Sequence, residues 1–273
     1  MTAVSLPRLP AVSPATAMLV AGIGLSVSLL PPSLIALAID ERTLHGVTVW
    51  AKPIKFQLSL AMLMATLVLL LPLIPAERRD GRAVRWAAGA VLLASTLEVL
   101  YITLQAARGA ASHYADGSGL ERALYSLMGL GAFTIVAGCF VIGVVILRSA
   151  DRFGAGVRLG GGLGLVLGAV TTLVTAFVLA SGVDGPGPGP WVGGTRSLAG
   201  GLPLVGWSTT GGDLRVPHFF ATHLMQAVPV AGLLADRWRP SAARTIVVLT
   251  AAAGVVVVVA TFLQAMAGRP FLG

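Results

Sequence analysis

The chain has 273 residues, of which 56% are hydrophobic and 11% charged, and its mean hydropathy is +0.87. A soluble domain carries about 25% charged residues, so the composition points to an all-α integral membrane protein and away from a soluble fold. The formal charge of +8 sits in short loops between apolar runs, which argues against nucleic-acid binding.

A membrane-spanning helix needs about 20 mostly apolar residues. Seven segments meet that test: 16–39, 54–75, 86–107, 124–147, 159–181, 217–235 and 244–266. Segment 1 has a second reading. Arg8, the apolar run 18–30, Pro31-Pro32 and Ala36-Leu37-Ala38 fit a cleavable signal peptide. Cleavage would leave six spans in the same orientation.

The loops set that orientation. Arg78, Arg79, Arg82 and Arg85 follow segment 2, Arg148, Arg152 and Arg158 follow segment 4, and Arg237, Arg239 and Arg244 follow segment 6. Short basic loops stay in the cytoplasm, which predicts a cytoplasmic amino terminus and an extracytoplasmic carboxyl terminus. A bacterial-type plasma (inner) membrane is the expected location. The one long connection, 182–216, is then an extracytoplasmic loop rich in glycine and proline. It either caps that face or hangs free. The whole of 1–273 reads as a single transmembrane helical domain.

Several side-chain types are scarce. There are two lysines, four histidines, four glutamines and no asparagine. The predicted topology puts all ten scarce residues in the outer half of the bilayer or just beyond it. Polar groups in hydrocarbon are costly and are kept for a reason. In chain order, segment 2 opens with Lys52, Lys55 and Gln57 beside Trp50. Lysine is a compact titratable amine suited to an anionic ligand, although snorkelling at the interface explains the pair equally well. On segment 3, Glu98, Tyr101, Gln105 and Arg108 fall within an arc of about 80°. Glu98 is the one acid inside any predicted span. By depth its nearest cations are Arg108, Lys55 and Arg215.

Cys139 in segment 4 reads as a small buried residue. Gly160, Gly164 and Gly168 in segment 5 share one face, which lets a neighbouring helix approach closely. Segment 6 opens Pro217-His218 and continues to Thr222, His223 and Gln226. Its histidines are five apart, not the four-apart spacing that aims two imidazoles at one ion. His45 and His113 read as solvated loop residues. Gln264 is the strongly polar outer group of segment 7.

No Walker A, G-x-S-x-G, H-E-x-x-H, C-x-x-C or C-x-x-C-H motif is present, and segment 7 has no deep lysine for a retinal Schiff base. Three readings remain open for the polar residues. In the first, the chain is a membrane enzyme or redox protein. His218 and His223 ligate a transition metal or haem, or act with Glu98 in acid–base catalysis. Lys52, Lys55, Gln57, Tyr101, Gln105, Arg108, Arg215 and Gln226 then bind substrate. In the second, it is a transporter or sensor of a small anionic or amphiphilic solute, with a coupling proton on Glu98. In the third, it is an accessory or assembly subunit whose polar groups lock helices together. The expected partners are the lipid bilayer, a small-molecule ligand, and a second copy or another membrane protein.

Overall fold

A computed structural model of the chain describes residues 12–44, 46–113, 118–150, 153–181 and 189–272. Arg8, His45, Asp116, Arg152 and most of the Gly-Pro repeat at 185–190 lie outside the described residues. The helices are α1 (Pro14–Ser28), α2 (Leu30–Ile39), α3 (Ala51–Leu70), α4 (Ala76–Arg79), α5 (Arg82–Ala107), α6 (Gly119–Leu147), α7 (Ala155–Ser181), α8 (Arg215–Trp238) and α9 (Ala243–Met266). Seven helical stretches are long and apolar enough to cross a membrane.

The predicted segments and the helices agree at their ends 39, 107, 147, 181 and 266, while several helices begin earlier. The difference is physical. First turns such as Arg82–Arg85 and Glu121-Arg122 are helical but polar, so hydropathy alone does not count them. Segment 1 is two helices joined at Leu29. Pro31 and Pro32 have no N–H to give Val27 and Ser28, and this interrupts the ladder. Local caps fix other ends. Ser118 and Glu121 form a reciprocal capping box on α6. Gly109 (φ 69°) closes α5 in the left-handed conformation, with Ala110 N–H donating to Gln105 O.

The helices pack in two groups. One comprises α1, α3, α5 and α6, and the other α7, α8 and α9, with α6 against α7 as the main seam. The larger core holds Leu19, Met64, Leu67, Val91, Ile135, Cys139, Ile142 and Leu165. The smaller lies between α8 and α9 around Leu224, Val228, Val247 and Ala251. Cys139 is buried, as expected for a small core residue.

Helix α7 lies especially close to α8. A Cβ at Gly160 would sit 2.7 Å from Val228 O, at Gly164 2.6 Å from Pro229 Cδ, and at Gly168 2.6 Å from Met225 Cγ. The start of α7 is capped from a distance: Gly156 and Val157 N–H donate to the Asp236 carboxylate of α8 at 2.8 and 2.7 Å.

Two short hairpins mark one end of the bundle, β1 (Thr43–Leu44) with β2 (Val47–Thr48) and β3 (Trp191–Val192) with β4 (Gly212–Asp213). This is called the hairpin end below. The opposite end carries Arg78, Arg79, Arg82, Arg148 and Arg237 and is called the arginine end. The described part of the long connection, 189–214, is built against the bundle. Leu214 N–H donates to Pro190 O, and Val192 and Leu214 pack on Ala265.

Candidate functional site at the hairpin end

The first turn of α3 carries Lys52, Lys55 and Phe56 where α5, α6 and the long loop converge. Lys52 is half-buried, and its ammonium interacts through charge with Glu98 of α5 and with His113. Glu98 is 5% exposed, and its Oε1 has no hydrogen-bond partner. The carboxyl fits because α6 has Gly131 opposite it, where a Cβ would stand 2.8 Å from Oε1. The cation whose charge reaches Glu98 is Lys52, whereas depth alone suggests Arg108, Lys55 or Arg215. Depth ignores azimuth, and the first turn of α3 faces α5.

His113 is not a solvated loop residue. Its ring lies 5.6 Å from the Phe56 ring and 6.0 Å from that of Tyr125. Burial, and secondarily the Lys52 charge, push its pKa down to about 3, so it is a neutral imidazole. Sequence reasoning missed His113 and Tyr125 as neighbours of this cluster. No periodic pattern reaches into a loop, and only the tight Gly109 turn, which folds the chain back, hinted at it.

Lys55 and Arg215 form an adjoining pair on the long loop. Lys55 Nζ donates to Val205 O at 3.2 Å, and Arg215 Nη2 donates to Gly206 O at 2.7 Å. Arg215 also forks onto buried Asp213, whose carboxylate accepts from Ser208 N–H as well. These bonds hold the turn 202–206 over the start of α3. Behind it, Trp207 packs edge-on against Phe219 and Phe271. In the other hairpin, Asp40 accepts from Arg42 and from Trp50 Nε1–H, and these bonds hold its carboxyl well below the usual range.

The two α8 histidines stand apart from Lys52 and Glu98. The Thr175 hydroxyl of α7 donates to Thr171 O at 2.9 Å and lies 3.3 Å from His218 Nδ1. His223 Nδ1 donates to Phe219 O at 2.7 Å, with its ring 3.9 Å from that of Phe219. The carbonyl acceptor thus places a proton on Nδ1 of His223. Among the described residues, no group of three or more His, Cys, Asp or Glu side chains is placed to hold a metal ion.

The remaining predicted residues are mostly ties. Gln57, fully buried, donates to Ser33 Oγ at 2.9 Å and Thr103 Oγ1 at 3.3 Å. Gln105 holds Ala111 O, Gln226 reaches Thr66 Oγ1 across to α3, and Gln264 holds Pro270 O. Arg108 is exposed and donates to Gln105 Oε1, and Tyr101 is half-buried near the charges of Arg108 and Glu121. Among the described scarce residues, Lys52, Lys55, Gln105, His113 and His218 lie toward the hairpin end, whereas Gln226 sits midway along α8 and bonds Thr66 in the far half of α3. No family model matches the chain, and no curated protein or solved structure matches it significantly.

Proposed function

We propose that this is an integral membrane protein whose arginine end faces the cytoplasm, and that its hairpin end binds a small anionic or amphiphilic solute for transport or sensing. The carrying observation is Glu98, a buried carboxyl that has one oxygen without a hydrogen-bond partner and is reached by the charge of Lys52. An ionisable pair in that position is a site for charge or proton exchange by default. Three features favour an anion there. Lys52, Lys55 and Arg215 outnumber the acids Glu98 and Asp213, the 20-residue helix α3 presents its N-terminus beside them, and the turn 202–206 is held by bonds that an incoming anion would compete for. Glu98 would carry the coupled proton, with Lys52 stabilising its charged form.

The test uses protein purified in mild detergent and a panel of inorganic phosphate and straight-chain monocarboxylates, screened by thermal shift and titrated calorimetrically. Lys52→Met and Lys55→Met should each weaken the best ligand about tenfold, as expected for a lost charge-assisted bond. In proteoliposomes, Glu98→Gln should bind that ligand without moving protons. Equal affinity in both lysine variants would reject the site. A fall in thermal stability with no ligand response would favour an assembly role.

One observation favours a second reading, a metal- or haem-dependent membrane enzyme or redox protein. His218 and His223 each have Nδ1 anchored by an oxygen, the arrangement that orients Nε2 for a metal. A Soret band, or stoichiometric transition metal lost in His218→Ala, would support it. A colourless and metal-free preparation would count against it.

A further inference from the structure

A groove of about 420 Å³ runs between α5 and α6, lined by Ala83, Trp86, Ala87, Ala90, Phe133 and Gly138 among others. We propose that it seats one acyl chain of an anionic phospholipid from the leaflet at the arginine end, with the headgroup phosphate on Arg82 and Arg148. The inference rests on the helices spanning a bilayer, and not on the Lys52–Glu98 reading.

The floor of the groove is a close crossing. A Cβ at Gly138 would stand 2.6 Å from Val91 Cγ2 and 3.1 Å from Ala87 O. Its walls are Trp86 and Phe133, which are 77% and 53% exposed. The one hydroxyl in the lining, Thr134, is spent on Leu130 O at 2.8 Å. The interior is therefore apolar and suits hydrocarbon.

The mouth has the opposite character. Arg82 lies one turn before Trp86 on α5. Arg148 lies two turns beyond Val141, on nearly the same face of α6. Both arginines are exposed. Arg78 joins them, its guanidinium donating to Arg148 O at 2.6 Å. Among the described residues the acids of the α3–α5 connection are Glu77 and Asp80, and Asp80 already lies 4.0 Å from Arg79. Arginine is the side chain best matched to a phosphate, and a tryptophan at this depth is a typical interfacial anchor.

The length of the groove selects a lipid over a partner helix. From residue 83 to 90 it extends about 10 Å, at 1.5 Å per residue, a third of the hydrocarbon thickness. Beyond it the same face of α5 turns bulky with Leu93, Leu97 and Leu104, all exposed. A straight helix would be held off by those leucines. A flexible chain entering from the headgroup layer needs only the short groove.

Native mass spectrometry of the detergent-purified chain, titrated with phosphatidylglycerol or phosphatidylcholine of identical acyl chains, tests this. Phosphatidylglycerol should bind at least about fivefold tighter. The double variant Arg82→Gln/Arg148→Gln should erase that preference while keeping weak binding of both lipids. Ala90→Phe, which fills the groove, should remove both. Trp86→Leu checks the fold, since it keeps an apolar wall and should leave the charge preference intact. Equal binding of the two lipids overturns the proposal. So does a charge preference that survives Ala90→Phe, which would place the lipid elsewhere. A dimer lost in Ala90→Phe, with no lipid preference, would also overturn it and make a second copy the occupant.

Discussion

Replacing Gly160 by alanine asks what holds α7 to α8. A Cβ there would stand 2.7 Å from Val228 O and 3.3 Å from Pro229 Cα. Both are backbone atoms, and neither can swing away as a side-chain tip could. The helices must part by several tenths of an ångström along a seam that also crosses at Gly156 and Gly232 and is tied by Asp236. Overpacking of this kind costs about 1–3 kcal/mol, and alanine returns up to about 1 kcal/mol through helix propensity. The net loss is about 1–2 kcal/mol, which lowers Tm by about 2–4 °C for a chain of this size. Gly129→Ala is the control: its Cβ would meet nothing within 4 Å, so Tm should hold or rise slightly. The assay is thermal denaturation of both variants in one detergent, followed by loss of the monodisperse chromatographic peak. A Gly160→Ala protein at least as stable as the Gly129→Ala protein would refute close backbone packing as the link between these helices.

Asp236→Ala removes the acceptor of two α7 N–H groups and should cost about 1–2 kcal/mol, read as a fall in Tm that Asp236→Asn partly restores. His113 gives a pH dependence. Its folded pKa of about 3 lies below the ordinary 6.5, so below pH 6.5 the unfolded chain binds a proton that the folded chain refuses. Stability should therefore fall as pH drops from 7 to 5, by up to about 2 kcal/mol from this group. In His113→Gln the Tm-against-pH curve over that range should be flatter, and an unchanged slope would contradict the packing of the ring. Orientation is tested in a Cys139→Ala background. A membrane-impermeant thiol reagent should label Leu204→Cys, at a position 94% exposed on the hairpin end, in intact cells. It should label Ala76→Cys only after lysis. The reverse pattern would invert the topology.

Much of the helical layout was legible in the chain because hydrophobic runs and their breaks are local. The five coincident helix ends and the close-packing glycines of α7 follow from residue type and spacing alone. The candidate site was legible only in part. Glu98 stands out as the lone acid in an apolar run, and it is buried. The cation whose charge reaches it, Lys52, is not one that depth suggests, because depth along a helix says nothing about which helix stands opposite. The arc of about 80° joining Glu98 to Arg108 also overstated what those residues share. Glu98 and Gln105 are buried, whereas Arg108 is exposed.

Composition and periodicity therefore determined the helical character of the chain, its seven long apolar helices and the type of residue available for chemistry. These follow from the cost of exposing backbone and charge to hydrocarbon, which acts on each segment separately. Tertiary structure alone decided that α3 packs on α5 with Gln57 bonded to Thr103, that the half-buried His113 ring lies between Phe56 and Tyr125, and that the turn 202–206 is pinned by Lys55 and Arg215. Those contacts join residues up to 150 positions apart. They depend on the rotation of each helix about its axis, which packing against all its neighbours sets at once.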